Sequence, residues 1–169
     1  MHFIYCPYCG NKLIDREIGD EGMIPYCEVC HVPLWDMFST CVICAVVNEF
    51  DEIALIRQQY VSSTKYVCVA GIIQLGENVE ETAIREIKEE IGLEVQRIQY
   101  IHSYFYDKKN MLMLGYRANV IKDEFTLSKE VDSVAWIPLA EALSNLRKGS
   151  IAWQLVKEVI EKQKIASDL

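Results

Sequence analysis

A chain of 169 residues has room for one medium domain with at most a small appendage, which excludes a long multidomain enzyme. Apolar residues at 51% and charged residues at 25% can bury a sizeable core, so the disordered and fibrous classes fall away as well. Seventeen basic against twenty-five acidic residues leave a net charge of -8, which argues against broad binding to nucleic acid or an anionic membrane. A polyanionic substrate would need metal ions to approach such a chain.

Residues 1–10 have neither the basic nor the hydrophobic region of a signal peptide, and no apolar run reaches the length of a membrane span, so the expected compartment is the cytoplasm. Seven cysteines are an odd number for a disulfide framework. Four of them form two C-x2-C pairs, Cys6-Pro7-Tyr8-Cys9 and Cys27-Glu28-Val29-Cys30, with seventeen residues between the pairs. Zinc takes four soft ligands in a tetrahedron, and each turn aims two thiolates at one ion, with Gly10 allowing the tight turn after the first pair. One structural zinc on Cys6, Cys9, Cys27 and Cys30 is therefore expected, in preference to two disulfides or a redox-active pair. The spacer carries Gly19, Gly22 and Pro25 and little that builds a core, so residues 1–36 read as a zinc ribbon that cannot fold without its metal.

Lys12 and Arg16 face six acidic residues in that segment, a balance of -4 with the wrong sign for a phosphate reader. His31 follows Cys30 and reads as a bystander beside four cysteines. Cys41 and Cys44 repeat the spacing inside the apolar run 41–47, where a straight strand would point them to opposite faces; with Cys68 they read as small core residues.

A globular α/β body begins after Phe38. A strand over 41–48, a turn at 49–52 and a second strand over 53–59 predict a hairpin. A helix is predicted over 79–91, with Asn78 as its cap, Glu81 completing a capping box and Gly92 as its left-handed stop. Ala83, Ile84, Ile87 and Ile91 make one apolar stripe, and Glu86, Glu89 and Glu90 crowd a wedge beside it, where like charges repel. A hard divalent cation such as magnesium would relieve that repulsion, and Arg85, one turn from Glu89, would orient or neutralise it; a solvated acidic face is the alternative. Residues 151–160 predict an amphipathic helix packing Ile151, Leu155, Val156, Val159 and Ile160, and His102 reads as a strand residue.

Gly71, Glu77, Arg85, Glu86, Ile87, Glu89, Glu90, Gly92 and Leu93 meet every specified position of G-x5-E-x7-R-E-U-x-E-E-x-G-U, where U is a bulky aliphatic residue. The string resembles the Nudix box. The resemblance implies an α/β/α sandwich with a mixed sheet, which hydrolyses a nucleoside diphosphate linked to another group by water attack with a divalent metal, Mg or Mn. It implies Glu86 and Glu90 as principal ligands, supported by Glu89 and Arg85. A zinc ribbon before such a domain is similar to the NADH pyrophosphatase subgroup. By that likeness the Ala70 carbonyl is a further magnesium ligand, Glu130 in Lys129-Glu130-Val131 is a ligand or general base, and Trp35 and Ala152 contact substrate. For Glu130 an exposed loop, and for Ala152 simple packing, remain alternatives.

The subgroup signature S-Q-P-W-P-F-P-x-S-L-M aligns with Ser103–Met113, where Ser103, Leu112 and Met113 survive and the prolines and tryptophan do not. Tyr104, Phe105 and Tyr106 would still offer a stacking face, and Lys108 or Lys109 a phosphate contact, unless 107–110 is a solvated turn with aromatics beneath it. Arg57 completes the substrate-binding candidates. The reading is thus a ribbon over 1–36 and a Nudix domain over 37–169, with one zinc and a catalytic divalent ion. It acts on ADP-ribose, NADH or an NAD-like dinucleotide, with a nucleotide sensor or removal of caps from RNA as alternatives. Expected partners are a small nucleotide and no membrane, with nucleic acid only as capped RNA ends and a homodimer left open.

Overall fold

Residues 3–167 are described by the computed structural model, so the outermost residues of the expected ribbon and body, 1–2 and 168–169, lie outside the described residues. The chain divides into two compact units, Met1–Ser39 and Thr40–Leu169.

The first unit is built on an antiparallel sheet in the order β1 (Ile14–Glu17), β2 (Met23–Cys27), β3 (Val32–Pro33). Gly10 adopts φ 76° in the turn after the first cysteine pair and donates its N–H to the Cys6 carbonyl at 2.9 Å, a conformation that costs glycine little. Among the described residues of this unit, Cys6, Cys27 and Leu34 are buried together, with Phe3, Leu13, Cys30 and Val32 packed against them. Three of those seven side chains are cysteines, so little apolar surface is available to hold this unit together.

In the second unit, period-two alternation decides the layering. The strands are β4 (Ser39–Val47), β5 (Glu52–Arg57), β6 (Val69–Ile72), β7 (Val95–Tyr106), β8 (Met111–Val120) and β9 (Ser133–Pro138), and the helices are α1 (Val79–Ile91), α2 (Ala142–Asn145) and α3 (Ile151–Ser167). The sheet runs β7-β8-β4-β5-β9, with β6 paired to β4. Val42, Cys44, Val46, Ala54 and Ile56 pack with Ala83, Ile87 and Ile91 of α1. Their neighbours Ile43, Ala45, Val47, Ile53 and Leu55 pack with Leu155, Val156 and Val159 of α3. A sheet covered on both faces makes each strand continuously apolar, which is the pattern of 41–47. The result is the expected α/β/α arrangement. No helix among the described residues is long and apolar enough to cross a membrane.

The hairpin between β4 and β5 turns on Asn48, whose Oδ1 accepts the N–H groups of Phe50 and Glu52 at 2.9 and 3.0 Å. The strand β5 stops at Arg57, before the expected 59, because the Gln58 carbonyl accepts the N–H groups of both Val61 and Ser62 at 2.9 Å and turns the chain. The helix α1 has the predicted boundaries, capping box and left-handed Gly92 at φ 78°. Its buried side differs from the expected stripe: Thr82 and Glu90 are buried with Ala83, Ile87 and Ile91, whereas Ile84 is 41% exposed. The helix is rolled so that its carboxylates, rather than Ile84, meet the sheet.

Candidate active site

The end of β5, strand β6 and helix α1 bring the Nudix-box carboxylates together. Glu86 lies directly over Gly71: a Cβ there would stand 1.8 Å from the Glu86 carboxyl carbon. Burial raises the Glu86 pKa against the opposing pull of Arg85. Glu90 is 5% exposed, and its Oε1 accepts a hydrogen bond from Gln58 Nε2 at 3.0 Å. Its Oε2 is buried with no hydrogen-bond partner. Burial pushes the Glu90 pKa up to about 7, with the charges of Glu86 and Glu130 adding to the shift and Gln58 opposing it.

Arg85 organises the other side of this cluster. Its Nε and Nη2 grip the two Glu77 oxygens at 2.6 and 2.9 Å, and its Nη1 reaches Glu86 at 2.8 Å and Glu89 at 2.9 Å. Glu77 also accepts the Thr82 hydroxyl at 2.9 Å, and the guanidinium beside it holds its pKa down to about 2. Arg85 therefore pairs with three carboxylates, Glu77 and Glu86 as well as Glu89. Glu89 stays 58% exposed.

A cleft of about 730 Å3 adjoins the carboxylates, lined by Gln59, Tyr60, Lys129, Glu130 and Asp132. Glu130 thus faces open space in the loop before β9, electrostatically coupled to Glu86 and Glu90. Burial, then the charges of Glu90, Glu130 and Glu86, raise the Tyr60 pKa. Tyr60 and Gln58 were not among the sequence candidates. For Gln58 the signal was strand parity with Ala54 and Ile56, which turns it toward α1; for Tyr60 there was none.

The substrate-binding candidates are distributed differently. Ala70 sits in β6, paired with Ile43 and packed on the α3 side. The Arg57 guanidinium stacks on the Tyr66 ring at 4.5 Å. Tyr104 is a correction to the expected stacking face: it is 7% exposed, lies in the core beneath α3 and donates its hydroxyl to Glu158 at 3.0 Å. The cause is a bulge at Ile101, between the pairs Tyr100↔Tyr116 and His102↔Gly115, which flips the parity of the strand and sends Tyr104 inward. Ala152 is 7% exposed in the same core, as its packing alternative requires. Phe105 is 51% exposed, Tyr106 is half-buried, and Lys108 is exposed in the 107–110 turn, with Asn110 left-handed at φ 47°. Trp35 belongs to the first unit and is 46% exposed.

In that first unit the thiols of Cys6, Cys9, Cys27 and Cys30 lie within 4.8 Å of one another, and His31 is not among them. Cys6 and Cys30 are separated by 3.9 Å at sulfur, and Cys9 and Cys27 by 3.5 Å. A tetrahedral zinc with Zn–S bonds of about 2.3 Å sets its sulfurs about 3.8 Å apart, whereas a disulfide needs about 2.05 Å. All seven cysteines are free, and Cys41, Cys44 and Cys68 are buried, as core residues would be. The four thiols fit a metal ion. The carboxylate cluster fits one too, through the orphaned Glu90 Oε2 and the glycine cradle that makes room for Glu86.

A NUDIX domain model matches residues 37–159. The NAD-capped RNA hydrolase NudC of Pseudomonas aeruginosa is 28% identical over 169 residues, covering 99% of this chain and 59% of that protein. The mitochondrial NAD(P)H pyrophosphatase NUDT13 of Mus musculus is 32% identical over 155 residues, covering 89% of this chain and 43% of that one. The chain therefore spans about half the length of these curated relatives. Among solved structures, a NUDIX hydrolase from Nitrosomonas europaea matches with a TM-score of 0.74 at 20% identity, over 96% of this chain and 93% of that one. The NUDIX domain of Shewanella oneidensis NrtR, complexed with ADP ribose, matches with a TM-score of 0.66 at 16% identity, over 82% of this chain and 94% of that one. The sequence box, the layered fold and the family model agree, and the chain belongs to the NUDIX domain family.

Proposed function

We propose that the chain is a metal-dependent hydrolase that cleaves the diphosphate bond of a nucleoside diphosphate linked to another group, such as ADP-ribose, NADH or an NAD-like dinucleotide. The observation that carries this reading is the Glu90 carboxylate, buried with one oxygen held by Gln58 and the other without a partner, beside Glu86 and Glu130. Such a group costs stability unless a cation completes it. Glu86, Glu90, Glu130 and the Ala70 carbonyl would hold a divalent ion, magnesium or manganese. When bound, that ion neutralises diphosphate charge and makes water a better nucleophile at phosphorus. Arg85 fixes the directions of Glu86 and Glu89, so the protein's own part is positioning. Glu130 is read as a ligand of that ion or as the general base, the two roles its resemblance implies. A dinucleotide would give two mononucleotides.

Residues 1–36 are read as a ribbon stabilised by one zinc and residues 37–169 as the catalytic body, in the reducing cytoplasm that free cysteines suit. A second reading, hydrolysis of NAD-capped RNA ends, is supported by the name of the NudC relatives and opposed by the acidic balance of the ribbon.

The test is turnover of ADP-ribose, NADH, NAD, diadenosine polyphosphates, nucleoside triphosphates and NAD-capped RNA with magnesium, by the wild type and Glu90→Gln. The variant should lose at least a hundredfold in rate while melting no lower than the wild type, because an unpaired buried charge has been removed. Equal turnover by both proteins would remove the carboxylate cluster from the reaction. Binding of a nucleotide without turnover would instead favour a sensor.

A further inference from the structure

Tyr60 has no part in that chemistry, yet it is held beside it. The loop after β5 is pinned from two directions: the Gln59 N–H donates to Asp132 Oδ2 at 2.6 Å, and the Asp132 N–H donates to the Arg57 carbonyl at 2.9 Å. Within the loop the Gln58 carbonyl holds Val61 and Ser62, and the Lys65 N–H donates to Ser62 Oγ at 3.1 Å. Gln58 turns inward to Glu90, and two residues on, Tyr60 lines the cleft and is 73% exposed. The backbone on either side of Tyr60 is therefore pinned, and its large aromatic ring stands exposed beside the carboxylate cluster rather than in either core cluster.

On the hydrolase reading the diphosphate lies at Glu86, Glu90 and Glu130, so whatever flanks it extends into the adjoining space. The cleft's volume of about 730 Å3 is within the range of small-molecule sites. Its charges are those of Glu130 and Asp132 against Lys129. With Glu130 engaged at the cation, Asp132 and Lys129 balance one another, so the cleft offers no excess positive charge to further phosphate and tolerates a neutral or cationic ring. An aromatic face attracts such a ring by stacking, and more strongly if the ring is cationic.

We propose that Tyr60 is a specificity residue of this chain, the platform on which a planar heterocyclic ring at one end of the diphosphate stacks in the cleft beside Glu130. The proposal rests on the hydrolase reading above, but its test reads separately. Tyr60 is exposed, so substitution does not endanger the fold. Tyr60→Leu, Tyr60→Phe and Tyr60→Trp are made in the full chain, and kcat and KM are measured separately for NADH, with a ring at both ends, and ADP-ribose, with a ring at one.

The leucine variant should raise KM roughly tenfold with kcat within twofold, and the phenylalanine and tryptophan variants should keep KM within about twofold. A rise for NADH alone assigns the ring that ADP-ribose lacks; a rise for both assigns the adenine. Unchanged KM in the leucine variant for both substrates overturns the proposal, and so does an equal rise in all three variants. If the wild type turns over neither substrate, calorimetric binding of the same two ligands decides the platform, while the wider substrate panel decides the hydrolase reading. A roughly tenfold weaker Kd in the leucine variant alone supports it, and an unchanged Kd or no binding overturns it.

Discussion

Glu77 acts on the site through Arg85 rather than by touching it. Both its oxygens are taken by the guanidinium, which is thereby left with one nitrogen, Nη1, to divide between Glu86 and Glu89. The pairing holds the Glu77 pKa down at about 2, below its unfolded value near 4.5. A depressed acid contributes stability that is present above the unfolded pKa and is lost as the pH falls from about 4.5 through about 2. Glu77→Gln should therefore melt lower than the wild type at pH 6, and the gap should close between pH 4.5 and 2; a gap that widens toward acid would contradict the ion pair. The box pattern named Glu77 but gave it no task, since two residues eight apart on a loop and a helix meet only once the loop has folded back. Tyr104 was misplaced for a related reason. The bulge at Ile101 leaves no mark on the apolar pattern, and one inserted residue exchanges the two faces of everything that follows it.

Helix α1 and strand β6 fit each other at a single position without a side chain. Gly71 faces Glu86 so closely that a methyl group would occupy the carboxylate's place, 1.8 Å from its carbon and 2.0 Å from Oε1. The carboxylate is the end of a flexible side chain and can swing aside, so Gly71→Ala should change stability by no more than about 1 kcal/mol while lowering kcat/KM at least tenfold. Combined with Glu86→Gln it should add little further loss, because the two changes remove the same placement; independent, multiplying losses would mean that Gly71 acts by another route. The ends of α1 were legible because caps are local chemistry: Asn78, Glu81 and Gly92 each satisfy backbone groups within four residues. Its rotation was not. An apolar stripe containing Ile84 predicts burial by transfer energy alone, but Gly71 and Gln58 create room and a donor for carboxylates on the opposite flank, and the helix rolls toward them.

At the scale of the whole molecule the two units draw stability from different sources. The body has two extensive apolar clusters, one on each face of its sheet, whereas the first unit buries three side chains together, two of them cysteines. Conformational entropy of roughly 1 to 2 kcal/mol per ordered residue is poorly offset by so little burial, and an ion on the four clustered thiols would supply the difference. Their sulfur separations of 3.5 and 3.9 Å match a tetrahedral zinc and are far too long for disulfides. The C-x2-C spacing was enough to foresee the clustering of the four thiols, because it constrains a local cluster rather than a packed core. Native mass spectrometry should find one zinc per chain, and removal with a strong chelator should accelerate hydrogen exchange at the amides of β1, β2 and β3 at least a hundredfold while β4, β5 and α1 keep their protection. Cys27→Ser should reproduce the chelated state, since Cys27 is both one of the four clustered thiols and part of the small core. Protection of β1 to β3 that survives chelation would show that the unit folds on its own side chains, and simultaneous loss in β4 and β5 would show that the body depends on the metal as well.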